Sequence, residues 1–411
     1  MKYIILLGDG MADRPRKDLG GQTCLMAAKT PNLDYLATKG SVGMVNTIPN
    51  GLPPGSDVAN LSVMGYDPRK YYAGRSPLEA ASIGVHLDKD DVAFRCNFVT
   101  LRTSEGYTLK RDGILRLIME DFSAGHISTD EARVLIEQID SQLGNDRIRF
   151  YPGVSYRHLM VWKSGKDALE CTPPHDIQEK SIGDYLPRGD GDDVINGLME
   201  SSQDLLVNHP VNVKRQEKGQ RPANSIWLWG QGKRPQMPTF REKYGLEGAM
   251  ISAVDLTKGI GIYAGFEVIS VPGATGWIDT NYKGKAKYAL AALKTKDIVY
   301  IHVESPDEAG HAGDLQKKMK AIEDFDNMVV GTVIQGMKQF GDYRIMALPD
   351  HPTPVEIRTH SSEPVPFIIY DSRQERTGDP VFYDEHIAER KEKLVFNEGH
   401  TLMDYFLDAK R

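Results

Sequence analysis

Cysteine is scarce in this chain: Cys24, Cys96 and Cys171 are the three among 411 residues. They are widely separated and lack CxxC spacing, which argues against a disulfide framework or a cysteine-based zinc site and leaves reduced thiols as the default. Long apolar runs are missing as well. Stretches such as Tyr3 to Leu7 and Tyr288 to Leu293 fall far short of the ~18 residues that a membrane span requires. Met1-Lys2 leads into five apolar residues and then Gly8-Asp9-Gly10, too short for a signal-peptide core and without its small-residue cleavage site. A cytoplasmic protein with no membrane partner is expected. Neither charge dominates: 50 Lys+Arg stand against 57 Asp+Glu, a net −7, with no long run of one sign, so no nucleic-acid partner is expected. Internal repeats, low-complexity tracts, a GxxxxGK[ST] loop, a kinase-type glycine loop and a GxSxG turn are all lacking.

What is there suffices for a large core, since 40% of residues are hydrophobic and 26% charged. At about 150 residues per domain the length suggests two to three domains, or one large domain carrying a smaller insertion. Several apolar runs end abruptly in Gly, Asp or Pro and are followed by an amphipathic helix, the pattern of an α/β fold. Tyr3 to Leu7 runs into Gly8-Asp9-Gly10, Asp297 to Val303 into Glu304-Ser305-Pro306-Asp307, and Arg344 to Leu348 into Pro349-Asp350-His351. Strands this apolar are expected in a mostly parallel sheet buried on both faces, with ligands at their carboxyl ends. Helices are predicted from Thr30 as N-cap with Pro31 following, from a capping box of Ser128 and Glu131, and from near Asp314. The middle of the chain, 91–190, reads as a smaller α+β insertion in a core of 1–90 and 191–411. Asn208 to Asn224 reads as a polar linker.

The chemistry gathers at the strand ends. Asp307 and His311 are spaced to share one helical face and grip one ion, although a capping Asp with a solvated His fits the spacing too. Asp350-His351 is an adjacent oxygen and nitrogen pair, with His360 nine residues on. Asp9 closes the first strand; alone it reads as a turn residue. Mixed carboxylate and imidazole donors at three strand ends suit a pair of divalent ions, and two-metal sites clamp the oxygens of a phosphoryl displacement. Ser56, in Pro53-Pro54-Gly55-Ser56-Asp57, precedes a helix-compatible run and reads as its N-cap. The same position would present the hydroxyl beside free helix N–H groups that favour phosphate. Unaided, that hydroxyl is a poor nucleophile.

Gly8 to Pro15, PPGSDVANLSVMGYDP (53 to 68), AFRCNFVT (93 to 100), SPDEAGHAGD (305 to 314), LPDHPTP (348 to 354) and THSSEPVPF (359 to 367) together resemble the archaeal-type branch of the 2,3-bisphosphoglycerate-independent phosphoglycerate mutases, in the alkaline phosphatase superfamily. The resemblance covers nearly the whole chain. It implies an alkaline-phosphatase-like three-layer α/β/α core, an inserted substrate or lid domain, two divalent metal ions (Mn, Mg, Co or Zn) and a phosphoserine intermediate. It implies Asp9, Ser56, Asp350 and His351 around one ion, Asp307, His311 and His360 around the other, and Ser56 as phosphoacceptor. A small phosphorylated acid needs Arg or Lys partners; Arg95 is the first candidate, followed by Arg111, Asp112, Arg157, His158, Lys233 and Arg234. Related mutases often carry His four residues after the nucleophile, where this chain has Asn60. Asn60 and the wording RTHSSEPVPF lean toward a bacterial branch proposed to act as a homoserine kinase, which is the alternative function together with a simple phosphomonoesterase.

Overall fold

Ile4, Ile5, Leu6 and Leu7 have no proline among them, and in the computed structural model they form the strand Lys2–Gly8 inside an eight-stranded sheet. The structure describes residues 1–103, 106–107 and 117–408. Across the sheet the strands run Glu267–Val268, Gly248–Ile251, Ile298–Val303, Lys2–Gly8, Tyr343–Leu348, Val365–Asp371, Ser41–Val45 and Leu394–Phe396. All neighbours are parallel except Val365–Asp371, which is antiparallel to both of its partners. Ile4, Leu6, Val299, Ile301 and Ile345 pack against Leu33, Leu36, Ala286, Phe325 and Val329 of helices on one face. On the other face Ile5, Leu7, Tyr300 and Met346 are equally buried, and the Tyr300 hydroxyl reaches Asn60 of the helix Ser56–Val63. Helices thus cover both faces, the expected three-layer arrangement, and each buried aliphatic side chain contributes about 1.5–3 kcal/mol.

Register places the chemistry. Gly8 pairs with Val303 and Leu7 with Leu348, so three neighbouring parallel strands end level with one another. The residues that follow them, Asp9, Glu304 to Asp307 and Asp350-His351, leave the sheet at the same edge.

The chain divides into two compact units, Met1–Tyr72 with Gln236–Arg411, and Ala73–Pro235. The second is wider at both ends than the expected 91–190. The reason is long-range pairing: strand Ser225–Lys233 lies antiparallel to Val92–Arg102, with Cys96 opposite Leu228. The helix Ser76–Ser82 joins them through Arg95 on Glu79 and the Ser76 hydroxyl on Gly230 O. The remaining strands of this antiparallel sheet are Ile118–Asp121, Arg157–Trp162 and Ile148–Tyr151. Apolar faces of the helices Thr129–Leu143 and Asp192–Leu206 share its core. Asn208 to Asn224 is not a bare linker, because it contains the helix Pro210–Glu217, capped by His209 and buried at Asn212 and Arg215.

A helix start also differs from expectation. Thr30 makes no side-chain cap for Pro31–Lys39; the distant Asp326 carboxylate accepts from Asn32 N at 3.2 Å and Leu33 N at 2.7 Å instead. Asp326 is held there by a π-turn, Phe325–Val330, that interrupts the helix begun at Asp314. Among the described residues no helix is long and apolar enough to cross a membrane.

Candidate active site

Ser56 is not the N-cap but the first helical residue, with Gly55 at the cap in an extended conformation and no side-chain capping bond. Its hydroxyl is therefore available to the strand ends. Oγ donates to Asp9 Oδ2 at 3.3 Å and lies 3.1 Å from His351 Nε2. Gly10 lets the first strand's loop come this close to the next one: at φ 63°, a Cβ there would sit 2.8 Å from Asp307 Cα.

The six other donors expected as ligands all gather at this edge. Asp9, Asp350 and His351 offer atoms within 4.8 Å of one another, as do Asp307, His351 and His360. His351 thus belongs to both groups. His311 Nε2 is 3.2 Å from Asp307 Oδ2 and 2.9 Å from His360 Nε2, so it stands against the second group. Thr353 Oγ1 donates to Asp307 Oδ1. Asp350 Oδ1 accepts from Gly10 N at 3.1 Å and His351 N at 2.9 Å.

Charge explains what the cluster needs. Burial pushes the Asp9 carboxyl well above the usual range, and the negative fields of Asp350, Asp307 and Glu304 push it further. Burial likewise raises Glu304 to about 8. Asp307 is opposed by the same burial, yet hydrogen bonds from His311 and His360 hold it well below the normal value, and in return His311 is raised to about 9. Asp9 Oδ1 is buried without a hydrogen-bond partner among the described residues. A lone pair with no donor, amid converging carboxylates and imidazoles, fits a divalent cation.

Three groups here were not singled out from the sequence. His302 Nε2 sits 3.0 Å from Asp9 Oδ2, out of hydrogen-bond alignment, and burial lowers its pKa to about 4. Lys285 is buried, donates to His302 O at 2.9 Å, and is lowered to about 8 by that burial. Tyr300 anchors Asn60. A His or Tyr within an apolar strand reads as core, and a lysine among Tyr282 to Ala292 reads as surface. Only the neighbouring Glu304, close before Asp307, offered a hint.

Of the expected substrate residues, Arg95, Arg157 and His158 are brought together in the second unit, around a cavity of about 160 Å³ also lined by Asn97, His175 and Trp229. Arg95 Nε and Nη2 are held by Glu79, and its guanidinium lies 4.8 Å from the centre of the Trp229 ring. Lys233 pairs with Asp167 at 3.1 Å, and neither it nor the exposed Arg234 lines that cavity. Arg111 and Asp112 lie outside the described residues.

His158 Nδ1 accepts from Gly153 N at 3.0 Å, so Nε2 carries the proton, buried and without a partner among the described residues. Burial lowers its pKa to about 3. The folded protein therefore resists a proton that the unfolded chain accepts near 6.5; this stability is present above that pH and lost as pH falls toward 3. Wild type is expected to lose about 3 kcal/mol more than His158→Gln between pH 7 and pH 4. Urea midpoints measured across that range test this; parallel slopes in the two proteins would refute it.

A family model described as 2,3-bisphosphoglycerate-independent phosphoglycerate mutase matches residues 37–212. The chain is 55% identical to a Geobacter sulfurreducens protein named as a probable enzyme of that type, covering 99% of this chain and 100% of the relative. It is 53% identical to one from Methanosarcina barkeri, covering 100% of each. Among solved structures, a Pyrococcus horikoshii protein matches with a TM-score of 0.81 at 29% identity, covering 100% of this chain and 98% of the other. The cofactor-independent phosphoglycerate mutase of Thermoplasma acidophilum matches at 0.67 and 27%, covering 99% of each. With full-length relatives above half identity, the chain belongs to the 2,3-bisphosphoglycerate-independent phosphoglycerate mutase family.

Proposed function

We propose that the protein interconverts 3-phosphoglycerate and 2-phosphoglycerate through a phosphoserine at Ser56. The observation that carries this is the Ser56 hydroxyl, free of capping and set between Asp9 and His351. The names of the relatives point the same way. Asp9, Ser56, Asp350 and His351 would hold one divalent ion, and Asp307, His311 and His360 the other. When bound, such ions acidify the serine hydroxyl and neutralise charge on the phosphoryl oxygens.

Ser56 Oγ attacks phosphorus in line as the bond from phosphorus to the 3-oxygen breaks, and the departing oxygen takes a proton that balances the one Ser56 gives up. Asp9 Oδ2, which accepts the Ser56 hydrogen bond, is in position to take the serine proton. The glycerate turns, its 2-hydroxyl attacks the phosphoserine and gives up its proton as the bond from phosphorus to Oγ breaks, and Oγ takes a proton back. Donor and acceptor share one carbon skeleton, so the cycle needs no nucleotide and releases no net phosphate. Water must be kept from the phosphoserine, or the enzyme becomes a phosphatase.

Arg95 and Arg157 are assigned to the substrate's anionic groups, with Glu79 fixing the Arg95 guanidinium and leaving Nη1 for a carboxylate oxygen. Arg95→Ala is expected to raise KM about 10- to 100-fold, the worth of a hydrogen bond to a charged group. A KM within about twofold of wild type would remove Arg95 from this role. Incubation with 3-phosphoglycerate alone, with Mn²⁺ or Mg²⁺, tests the main reading: 2-phosphoglycerate is expected. Its absence, alongside ATP-dependent phosphorylation of homoserine, would favour the kinase reading instead. Three unpaired cysteines accord with a reducing compartment, and we place the protein in the cytoplasm.

A further inference from the structure

We propose that Asn60 and Tyr300 position the Asp350 carboxylate for cation binding, Tyr300 acting through Asn60. The proposal rests on the divalent-ion reading above and concerns side chains that are not themselves ligands.

Asn60 is fully buried. Its Nδ2 donates to Ser56 O at 2.8 Å and to Asp350 Oδ2 at 2.9 Å, and its Oδ1 accepts from the Tyr300 hydroxyl at 2.6 Å. Chemistry dictates the orientation of this amide. A backbone carbonyl and a carboxylate can only accept, so the nitrogen must face them and the oxygen must face Tyr300. The phenol must then donate, and its full burial, which raises its pKa well above normal, keeps it protonated. One amide thereby ties the backbone of the nucleophile to the carboxylate of an expected ligand.

The other Asp350 oxygen is held by Gly10 N and His351 N, so Asn60 supplies the side-chain donor that sets the tilt of the carboxylate. Without the Tyr300 hydroxyl, Asn60 Oδ1 would be buried and unpaired. The amide could then turn and present an acceptor to Asp350, driving the carboxylate away from its place beside Asp9 and His351. A histidine at 60 could offer one nitrogen to Asp350 or to Ser56 O, but not the same nitrogen to both.

The test is calorimetric titration of Mn²⁺ into wild type, Tyr300→Phe and Asn60→Asp, repeated with each change in a His360→Ala background. Both substitutions keep the shape of the side chain. Wild type is expected to bind two ions. Each variant should keep one affinity within about twofold and lose about 10- to 100-fold at the other, the usual effect of removing a group that orients a ligand. The loss should persist when His360 is absent, which assigns it to the group containing Asp350. A merely structural role would lower the melting temperature and leave both affinities alone, and that result overturns the proposal, as does failure of both variants to fold. Wild type that binds no Mn²⁺ is a different outcome: it overturns the divalent-ion reading, and the positioning role with it.

Discussion

Ser56→Ala is expected to lower kcat on the order of 10⁴- to 10⁶-fold, the scale seen when a serine nucleophile is removed from a concerted site. The size follows from position. The Ser56 hydroxyl makes no capping bond, so its loss costs the helix little, while its contacts with Asp9 and His351 are those of a reacting group. Mn²⁺ should still bind the variant, more weakly, because Asp9, Asp350 and His351 remain. Quenching wild type during turnover and mapping phosphopeptides by mass spectrometry should place phosphate on Ser56. Phosphate on another residue, or a variant retaining more than roughly a hundredth of the rate, would rule out the serine route.

Removal of the cations has the second large effect. Chelation should abolish turnover, and Mn²⁺, Mg²⁺, Co²⁺ or Zn²⁺ should restore it. In Asp307→Ala restoration should fail, with activity down on the order of 10³-fold, because Asp307 is the anion that both His311 and His360 face. The fold should survive, since Asp307 follows a strand end and is not part of the apolar core. The pH dependence has a definite sign. Without a cation, Asp9 and His311 hold protons at higher pH than usual, and a cation must displace them, so the concentration of metal for half-activation should fall as pH rises toward 9. Full turnover in chelator-stripped protein would sink the two-ion reading.

The strands ending in Asp9, Glu304 and Asp350 were legible because each is a short apolar run closed by turn residues, a pattern that needs no partner to be read. Asp307 with His311, and Asp350 with His351, were legible for the same reason: their spacing is local. The full extent of the inserted unit was not, because strand Ser225–Lys233 gains its place only by pairing with Val92–Arg102 across more than a hundred residues of chain. The fate of His158 was also hidden. Beside Arg157 it reads as a candidate for holding substrate, and only packing against Phe98 and the bond from Gly153 N make it a buried neutral group.

By itself, then, the sequence determined which segments are strands, where they stop, and which acids, imidazoles and serine stand at their ends, since propensity, periodicity and motif spacing act within a few residues. Tertiary structure decided which of those groups meet. Asn60 and Tyr300 are separated by 240 positions, and Asp326 caps a helix begun 295 residues earlier in place of Thr30. A buried donor or acceptor takes whatever partner the packed chain brings within about 3 Å, and the level ending of three parallel strands is a property of their register, which no single strand contains.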